Sequence, residues 1–259
     1  MTEINRWLAR QPVRGERRLR LFCFPFAGGG AQTYRTYSQL LPEGIEVCAV
    51  QLPGRERRFG EPALTSIGVT VDCLLPIMRQ LVDLPYVILG HSLGALVGFE
   101  LVRSMRAAAL PLPAHLVVSG HRGPQLPDPD PPIHALPDHA FIEELSQLNG
   151  TPKEVFESPE LVELMLPLLR ADFAAAETYQ YAAEQPLACP ITALGGDQDP
   201  LVSVNEIEGW RIQTTDIFDH HILQGDHFFF QQSQTQFIRI LSDLLGTLVS
   251  KLSGSGGGA

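Results

Sequence analysis

One serine in this chain has neighbours that suit a nucleophile. Ser92 stands between Gly90 and Gly94 in the pentapeptide Gly-His-Ser-Leu-Gly. A serine hydroxyl is a poor nucleophile at neutral pH, so it needs a base within hydrogen-bond distance and an acid that orients this base. A serine activated in this way attacks an acyl carbon, which makes acyl transfer the chemistry that the pentapeptide predicts.

The segments on either side of the pentapeptide predict a sharp turn between a strand and a helix. Residues 86–89 form a short apolar run typical of a buried strand, and the residues from 95 onward mix small and apolar types as a packed helix does. A serine between glycines at such a turn is the nucleophile elbow of the α/β-hydrolases. The glycines are expected because side chains at their positions would collide with neighbouring backbone.

The α/β-hydrolases carry their catalytic groups in the chain order serine, acid, histidine, each after a successive strand. His227 is the best candidate for the base, because it follows the last predicted strand in a loop that Gly225 makes pliable. The acid is Asp199 or Asp197, and both follow the preceding strand. We favour Asp199, since its run Asp-Pro-Leu-Val is usual for the acid turn of this fold, and we expect Asp197 to cap the loop.

The tetrahedral intermediate of acyl transfer carries an oxyanion, which needs backbone N–H donors. One donor is expected to be Leu93, directly after the nucleophile. The other is expected from the glycine-rich loop after the first predicted strand, with Ala27 preferred to Phe26. A glycine-rich loop can instead hold phosphate, but this one lacks both the Lys-Ser/Thr pair of a P-loop and the G-x-G-x-x-G spacing.

Short apolar runs alternate with helical patterns along most of the chain, which predicts parallel strands joined by crossover helices. The predicted strands are residues 19–24, 45–50, 86–89, 115–119, 191–194 and 220–223. The predicted helices among them are residues 31–41, 67–82, 95–109, 204–211 and 234–252. The fold class is therefore α/β, an α/β-hydrolase fold with a mostly parallel central sheet flanked by helices.

The alternation stops after residue 120, where a helical block interrupts it. Residues 138–148 and 158–180 have helical patterns with no strand between them, and Pro167 predicts a kink or break in the second. We interpret residues 121–185 as a helical lid over the site, with ordinary crossover helices as the alternative. Residues 1–252 then form one domain, with a core of about 18–120 and 186–252, and residues 253–259 form a flexible tail.

The composition is typical of a globular enzyme. Of the 259 residues, 44% are hydrophobic and 19% are charged, and the net charge of −10 disfavours binding to nucleic acid. No apolar stretch is long enough to cross a bilayer, and the N-terminal region lacks the apolar core of a secretion signal, so we expect a cytoplasmic protein without a membrane partner. The four cysteines are scattered without metal-ligand spacing, which predicts reduced thiols and no metal.

Six motifs in order make the chain resemble the type II thioesterases of polyketide and nonribosomal-peptide synthesis. The resemblance runs from about residue 18 to residue 245. One departure is Asp226, which stands where members of that family often have a second glycine before the histidine. The motifs are Phe-Pro-Phe-Ala-Gly-Gly at 24–29, Gln-Leu-Pro-Gly-Arg-Glu at 51–56, Gly-His-Ser-Leu-Gly-Ala at 90–95, Leu-Arg-Ala-Asp-Phe at 169–173, Gly-Asp-Gln-Asp-Pro at 196–200 and Gly-Asp-His-Phe-Phe at 225–229.

The resemblance implies hydrolysis of acyl thioesters held on the phosphopantetheine arm of acyl or peptidyl carrier domains. Enzymes of this kind clear aberrant or stalled acyl groups from a synthase. The resemblance implies no metal or redox cofactor, and we expect a monomer. Alternatives are a carboxylesterase or lipase acting on free esters, a chain-releasing thioesterase, and a non-catalytic scaffold that only binds carriers.

Several charged and aromatic side chains are candidates for contact with the carrier or the acyl group. Arg55, Arg57 and Arg58 would form a basic patch facing an acidic carrier, or else a solvated turn paired with Glu56 and Glu61. The aromatic candidates would line the acyl chamber or belong to the core, and they are Phe26, Phe173, Phe228 and Phe229. Arg170 and Asp172 are interpreted as a structural pair within the lid.

Overall fold

The computed structural model describes residues 2–148 and 158–254 and contains one seven-stranded sheet. Its spatial order is β1-β3-β2-β4-β5-β6-β7. Neighbouring strands are parallel throughout, except that β1 pairs with β3 in the antiparallel direction. The strands are β1 Leu8–Arg10, β2 Leu19–Phe24, β3 Ile45–Val50, β4 Tyr86–His91, β5 His115–Ser119, β6 Ile191–Gly196 and β7 Phe218–Leu223.

Helices cover both faces of the sheet, because the central strands bury side chains in both directions. Along β4, Tyr86 and Ile88 pack with helices α3 and α4, whereas Val87 and Leu89 pack on the opposite face with α9. The helices in the described part of the chain are α1 Glu3–Trp7, α2 Tyr37–Leu40, α3 Ile67–Met78, α4 Leu93–Ala107, α5 Asp138–Gln147, α6 Pro159–Glu177, α7 Val204–Glu208, α8 Phe229–Gln232 and α9 Gln234–Gly254.

The predicted α/β-hydrolase fold class is confirmed, although several element boundaries were wrong. Two predicted helices are divided: residues 31–41 form a 3-10 turn, Ala31–Tyr34, followed by α2, and residues 204–211 form α7 followed by another 3-10 turn, Gly209–Gln213. The prediction missed α1 and β1 entirely. Helix α9 extends to Gly254, two residues into the predicted tail, and the rest of that tail lies outside the described residues.

The prediction at Pro167 was a kink or a break, and the break was wrong, because α6 continues through this residue without interruption. A proline inside a helix removes one backbone hydrogen bond and crowds the preceding turn. Here the turn that follows buries Leu168, Leu169 and Ala171. Tertiary packing after the proline therefore compensates for the lost hydrogen bond. Such packing supplies most of the stability of helices in proteins.

The predicted lid contains α5 and α6, which lie along the chain between β5 and β6. The two helices pack together through a small apolar cluster that includes Phe141, Leu145, Leu169 and Phe173. Residues 149–157, between them, lie outside the described residues. The domain boundaries and the role of this block as a lid stay predictions.

The parallel strands all end at one edge of the sheet, and that edge collects the loops that carry the candidate residues. The chain leaves β2 toward β3 on one side and leaves β4 toward β5 on the other. Loops that diverge in this way open a crevice at the carboxyl ends of the strands, which is the usual binding place in an open α/β sheet. The segments after β2, β4, β6 and β7 carry Ala27, Ser92, Asp199 and His227.

In the described ranges, no helix combines the length and apolar character needed to cross a membrane.

Candidate active site

The turn between β4 and α4 holds Ser92 in a conformation that few non-glycine residues adopt. Its φ is 53° and its ψ is −119°, a region in which a side chain costs about 1–3 kcal/mol. The flanking glycines are needed because the backbone around them leaves no space. A Cβ on Gly90 would lie 2.1 Å from the carbonyl oxygen of Gly94, and a Cβ on Gly94 would lie 2.2 Å from that of Phe24.

The imidazole of His227 is held by a buried carboxylate. Its Nδ1 lies 2.8 Å from Oδ2 of Asp199, and the side chains are 7% and 0% exposed. The other oxygen of Asp199 accepts hydrogen bonds from the backbone N–H groups of Leu201, at 2.9 Å, and Val202, at 3.3 Å. A carboxylate only accepts hydrogen bonds, so Nδ1 carries the proton and Nε2 is the basic nitrogen. This is the geometry that a general base requires.

Asp197, the alternative acid, holds the loop and not the imidazole. Its Oδ1 accepts a hydrogen bond from the backbone N–H of Gly225 at 2.8 Å, and the residue is exposed. This bond ties the loop after β6 to the loop after β7, two residues before His227. The geometry is that of the loop-capping role expected for Asp197, and it leaves Asp199 as the carboxylate in contact with the histidine.

Ser92 and His227 line the same cavity, which has a volume of about 690 Å³. Helix α4 contributes Leu93 and Leu96 to its wall, and α6 contributes Phe173 among others. In the part of the chain that the structure describes, the Ser92 hydroxyl makes no hydrogen bond to His227. Such bonds are commonly long in an empty site and shorten when substrate binds.

The two backbone N–H groups predicted as oxyanion donors, those of Leu93 and Ala27, follow β4 and β2, and their role stays a prediction. Leu93 is the first residue of α4, and N–H groups in the first turn of a helix have no partner within it. In the turn after β2, Gly28 donates to Asp172 at 2.7 Å and Gly29 donates to the carbonyl oxygen of Phe26 at 2.9 Å. Among the described residues neither Ala27 nor the alternative donor Phe26 has a protein acceptor for its N–H, so the preference for Ala27 stays a prediction.

His91 lies beside the candidate base, and its ring contacts Ser119. Its Nδ1 lies 2.9 Å from Oγ of Ser119, and its ring centre lies 5.2 Å from that of His227. Burial, together with the neighbouring His227 ring, lowers the pKa of His91 well below the usual value. His91 is therefore neutral at physiological pH and places no fixed positive charge beside His227.

The predicted basic patch is wrong, because two of its three arginines are buried. Arg55 is 4% exposed and forms a bidentate pair with Asp172, at 2.8 and 2.7 Å. Arg58 is 6% exposed, binds Glu61, and lies 4.1 Å above the ring of Trp7. Of the three, only Arg57 is exposed. Arg58 thus follows the alternative, a locally paired turn, whereas the partner of Arg55 comes from a distant helix.

The aromatic candidates divide between the cavity and the core. Phe173 lines the cavity. Phe26 and Phe228 pack edge to face with their ring centres 5.1 Å apart and lie outside the cavity lining, and Phe229 is completely buried in the core. The expected pairing of Arg170 with Asp172 was wrong: Arg170 binds Asp138 at 2.6 Å, on helix α5.

The sequence analysis missed much of the cavity wall. Leu96 lies four residues after Ser92, and residues four apart on a helix share a face, so the helical spacing alone could have identified it. The proline- and aspartate-rich segment after β5, which falls within the predicted lid, contributes most of the remaining wall. Nothing in its composition indicates which way it folds.

The mostly parallel sheet, with a Gly-x-Ser-x-Gly turn between β4 and α4, places the protein among the α/β-hydrolases. More narrowly, the chain belongs to the thioesterase family, because the family model described as a thioesterase domain matches residues 19–245. This membership confirms the predicted enzyme class, a hydrolase acting on thioesters.

Similar proteins support the resemblance to type II thioesterases. The gramicidin S biosynthesis protein GrsT of Aneurinibacillus migulanus is 42% identical over 93% of this chain and 94% of its own length. A protein of Brevibacillus parabrevis named linear gramicidin dehydrogenase LgrE is 44% identical, over 97% of both chains. The type II thioesterase BorB of the borrelidin cluster superposes with a TM-score of 0.82 at 35% identity, over 92% of this chain and 96% of that one.

The name of the second relative denotes a dehydrogenase, which differs from the family that the sequence matches. The thioesterase model covers the core strands together with the serine, aspartate and histidine segments of this chain. The family assignment therefore follows from that match and not from the name of one relative. The predicted resemblance to type II thioesterases of nonribosomal-peptide and polyketide synthesis is confirmed.

Proposed function

We propose that this thioesterase hydrolyses acyl thioesters on the phosphopantetheine arm of carrier domains, and that it removes aberrant or stalled acyl groups during nonribosomal-peptide or polyketide synthesis. The observation that carries the proposal is the 2.8 Å contact between His227 and the buried Asp199, on the wall of the cavity that Ser92 also lines. Family membership supplies the thioester, and this contact supplies the means of activating the serine.

The first half-reaction transfers the acyl group to the enzyme. Nε2 of His227 takes the proton from Oγ of Ser92 as Oγ attacks the thioester carbonyl carbon. The carbon–sulfur bond then breaks, and the imidazolium gives its proton to the departing phosphopantetheine thiolate. Asp199 orients the ring and stabilises its positive charge while the proton resides there.

The second half-reaction releases the acid. Water gives a proton to His227 and attacks the acyl carbon, the ester bond to Ser92 breaks, and the serine oxygen recovers the proton. In both tetrahedral intermediates the negative oxygen accepts hydrogen bonds from the N–H groups of Leu93 and Ala27. One such donor is typically worth about 10²–10³-fold in turnover.

The cavity supplies the space for the acyl group. Its volume of about 690 Å³ falls within the range usual for small-molecule sites. Apolar side chains of α4 and α6 contribute to the wall, and the acidic residues Asp128, Asp130 and Glu144 also line the cavity. The proposed reaction uses no metal or redox cofactor, its partner is a carrier domain, and its setting is the cytoplasm.

The test is a panel of acylated carrier proteins followed by intact-protein mass spectrometry. The wild-type enzyme should shift each substrate carrier to the mass of the free phosphopantetheine form. Ser92→Ala should remove this activity while leaving the fold unchanged by circular dichroism. Ser250→Ala, on the exposed surface of α9, is the matched control and should retain full activity.

Three results would overturn the proposal. A wild-type enzyme that prefers a free oxygen ester of the same acyl group to the carrier thioester would be a carboxylesterase. Normal turnover by Ser92→Ala, or failure of a fluorophosphonate to label Ser92 in folded protein, would remove the serine from the mechanism.

A further inference from the structure

The turn that carries Ala27 is held from both sides by a buried ion pair. Oδ2 of Asp172 accepts the backbone N–H of Gly28 at 2.7 Å, and Nη1 of Arg55 donates to the carbonyl oxygen of Gly29 at 2.8 Å. The two side chains bind each other through parallel contacts of 2.8 and 2.7 Å. One carboxylate and one guanidinium thus fix an N–H and a carbonyl of the same short turn.

This pair is unlike a surface salt bridge. The side chains of Arg55 and Asp172 are 4% and 3% exposed, so both charges have left water at a large desolvation cost. A buried pair of this kind contributes little net stability compared with apolar residues of similar volume. The ion pair therefore acts through the geometry that it imposes on the backbone atoms of the turn.

The same turn packs closely against α6. Gly28 has φ +77°, and a Cβ there would lie 2.6 Å from Cδ2 of Leu169. On the other side, Oε1 of Glu56 accepts the N–H of Gln32 at 2.9 Å. Helix α6 and the segment after β3 therefore enclose the turn, and Asp172 and Arg55 are the groups that bind its peptide bonds.

We infer that Asp172, with Arg55, is a positioning residue for the oxyanion site. By taking up the N–H of Gly28, the carboxylate fixes the rotation of the preceding peptides and leaves the N–H of Ala27 to face the developing oxyanion. The inference rests on the proposed function, since it assigns a task within that mechanism. Neither side chain touches the substrate.

The test compares two buried ion pairs at opposite ends of the sheet. Asp172→Asn keeps the shape of the side chain but removes the charge and one acceptor, and Arg55→Lys keeps the charge but removes the bidentate geometry. Glu46→Gln is the matched control, because Glu46 is a buried carboxylate bound to Arg20 at 2.6 Å near the amino ends of β2 and β3. All variants are assayed well below their own melting temperatures.

We expect kcat for thioester hydrolysis to fall about 10- to 100-fold in Asp172→Asn, a part of the effect of losing one donor, with KM changed less than about 3-fold. The kcat of Arg55→Lys should fall by a smaller factor than that of Asp172→Asn. Glu46→Gln should have a lower melting temperature than wild type and an unchanged kcat. Hydrogen exchange followed by mass spectrometry should show faster exchange in the peptide containing Gly28 in Asp172→Asn, a smaller increase in Arg55→Lys, and no change in Glu46→Gln.

The outcomes separate this inference from the proposed function. If wild type hydrolyses the thioester and folded Asp172→Asn retains its kcat, the positioning role is wrong and the mechanism stands. If Asp172→Asn does not fold, the same comparison is made with Arg55→Lys, and unchanged kcat with unchanged exchange overturns the inference. An inactive wild type contradicts the proposed function, while exchange at Gly28 still tests the link between Asp172 and the turn.

Discussion

Buried ion pairs lie at both ends of the parallel strands, but the pairs at the two ends connect different kinds of structural element. At the amino ends, Glu46 binds Arg10, Arg17 and Arg20. Arg20 and Glu46 are direct neighbours in the register of β2 and β3, and 26 residues separate them along the chain. At the carboxyl ends, Arg55 and Asp172 are 117 residues apart and join a loop to a helix.

The difference indicates what each group of charges does. The amino-end cluster reinforces a pairing that the strand hydrogen bonds already specify. The carboxyl-end pair holds backbone that no strand or long helix holds, and Asp199 does the same for the imidazole of His227. Charges at the amino ends should therefore affect stability, whereas charges at the carboxyl ends should affect turnover.

The largest effect expected from this comparison is on turnover, at the carboxyl ends. Asp199→Asn should lower kcat about 10⁴-fold, because an amide no longer fixes the tautomer in which Nε2 is the base. Asp197→Asn is the matched variant, and it should lose less than about 10-fold, since its carboxylate binds only a loop N–H. Steady-state hydrolysis of one acyl thioester measures both, and a larger loss in Asp197→Asn would reverse the assignment.

At the amino ends the expected effect is on stability. Glu46→Gln should lower the free energy of unfolding by about 1–3 kcal/mol, because the guanidinium of Arg20, 3% exposed, loses its charged partner on β3 but keeps Asp83. Urea denaturation followed by circular dichroism measures this loss. A fall in kcat at a temperature where the variant is fully folded would show that the two ends are not separate in function.

A loss of stability that appears only in acid is expected from buried histidines, one at each end. Burial lowers the pKa of His115 at the start of β5, and of His121 just after it, to about 4. Between about pH 6.5 and pH 4 the unfolded chain binds protons that the folded chain does not, so acid lowers stability by about 1.4 kcal/mol per pH unit for each histidine. This contribution is fully present above pH 6.5.

His115→Gln tests the amino-end histidine. Its ring contacts Thr192 at 2.8 Å and does not line the cavity. The variant should show a shallower loss of unfolding free energy between pH 6.5 and pH 4.5 than wild type, with unchanged kcat at pH 7. Parallel stability curves for the two proteins would contradict the buried-histidine explanation.

The sequence predicts the central sheet well because burial on both faces leaves a local signal. Strands β2, β3 and β5 have the predicted bounds, each as a short and mainly apolar run. Strand β1 was missed because its three residues, Leu8–Arg10, become a strand only by pairing with β3. Such a short segment has no periodicity of its own, so its structure depends on a contact that the sequence does not display.

The residues of the candidate site likewise fall into those that the sequence predicts and those that it does not. Ser92, Asp199 and His227 could be selected because each follows a recognisable strand and has characteristic neighbours. Arg55 and Asp172 were read as local charges, one for docking and one for pairing with Arg170. Their burial depends on α6 packing against the turn after β2, which is a contact between distant segments and leaves no pattern in either.

The backbone of Ser92 gives this enzyme an evolutionary liability. With φ at 53°, the position would suit glycine better than any residue with a side chain. Selection for folding alone would favour Ser92→Gly, and a measurement of thermal resistance would record such a change only as a gain. Only selection for the reaction retains an oxygen at this point, so a lineage that no longer needs the activity should lose the serine before it loses the glycines that surround it.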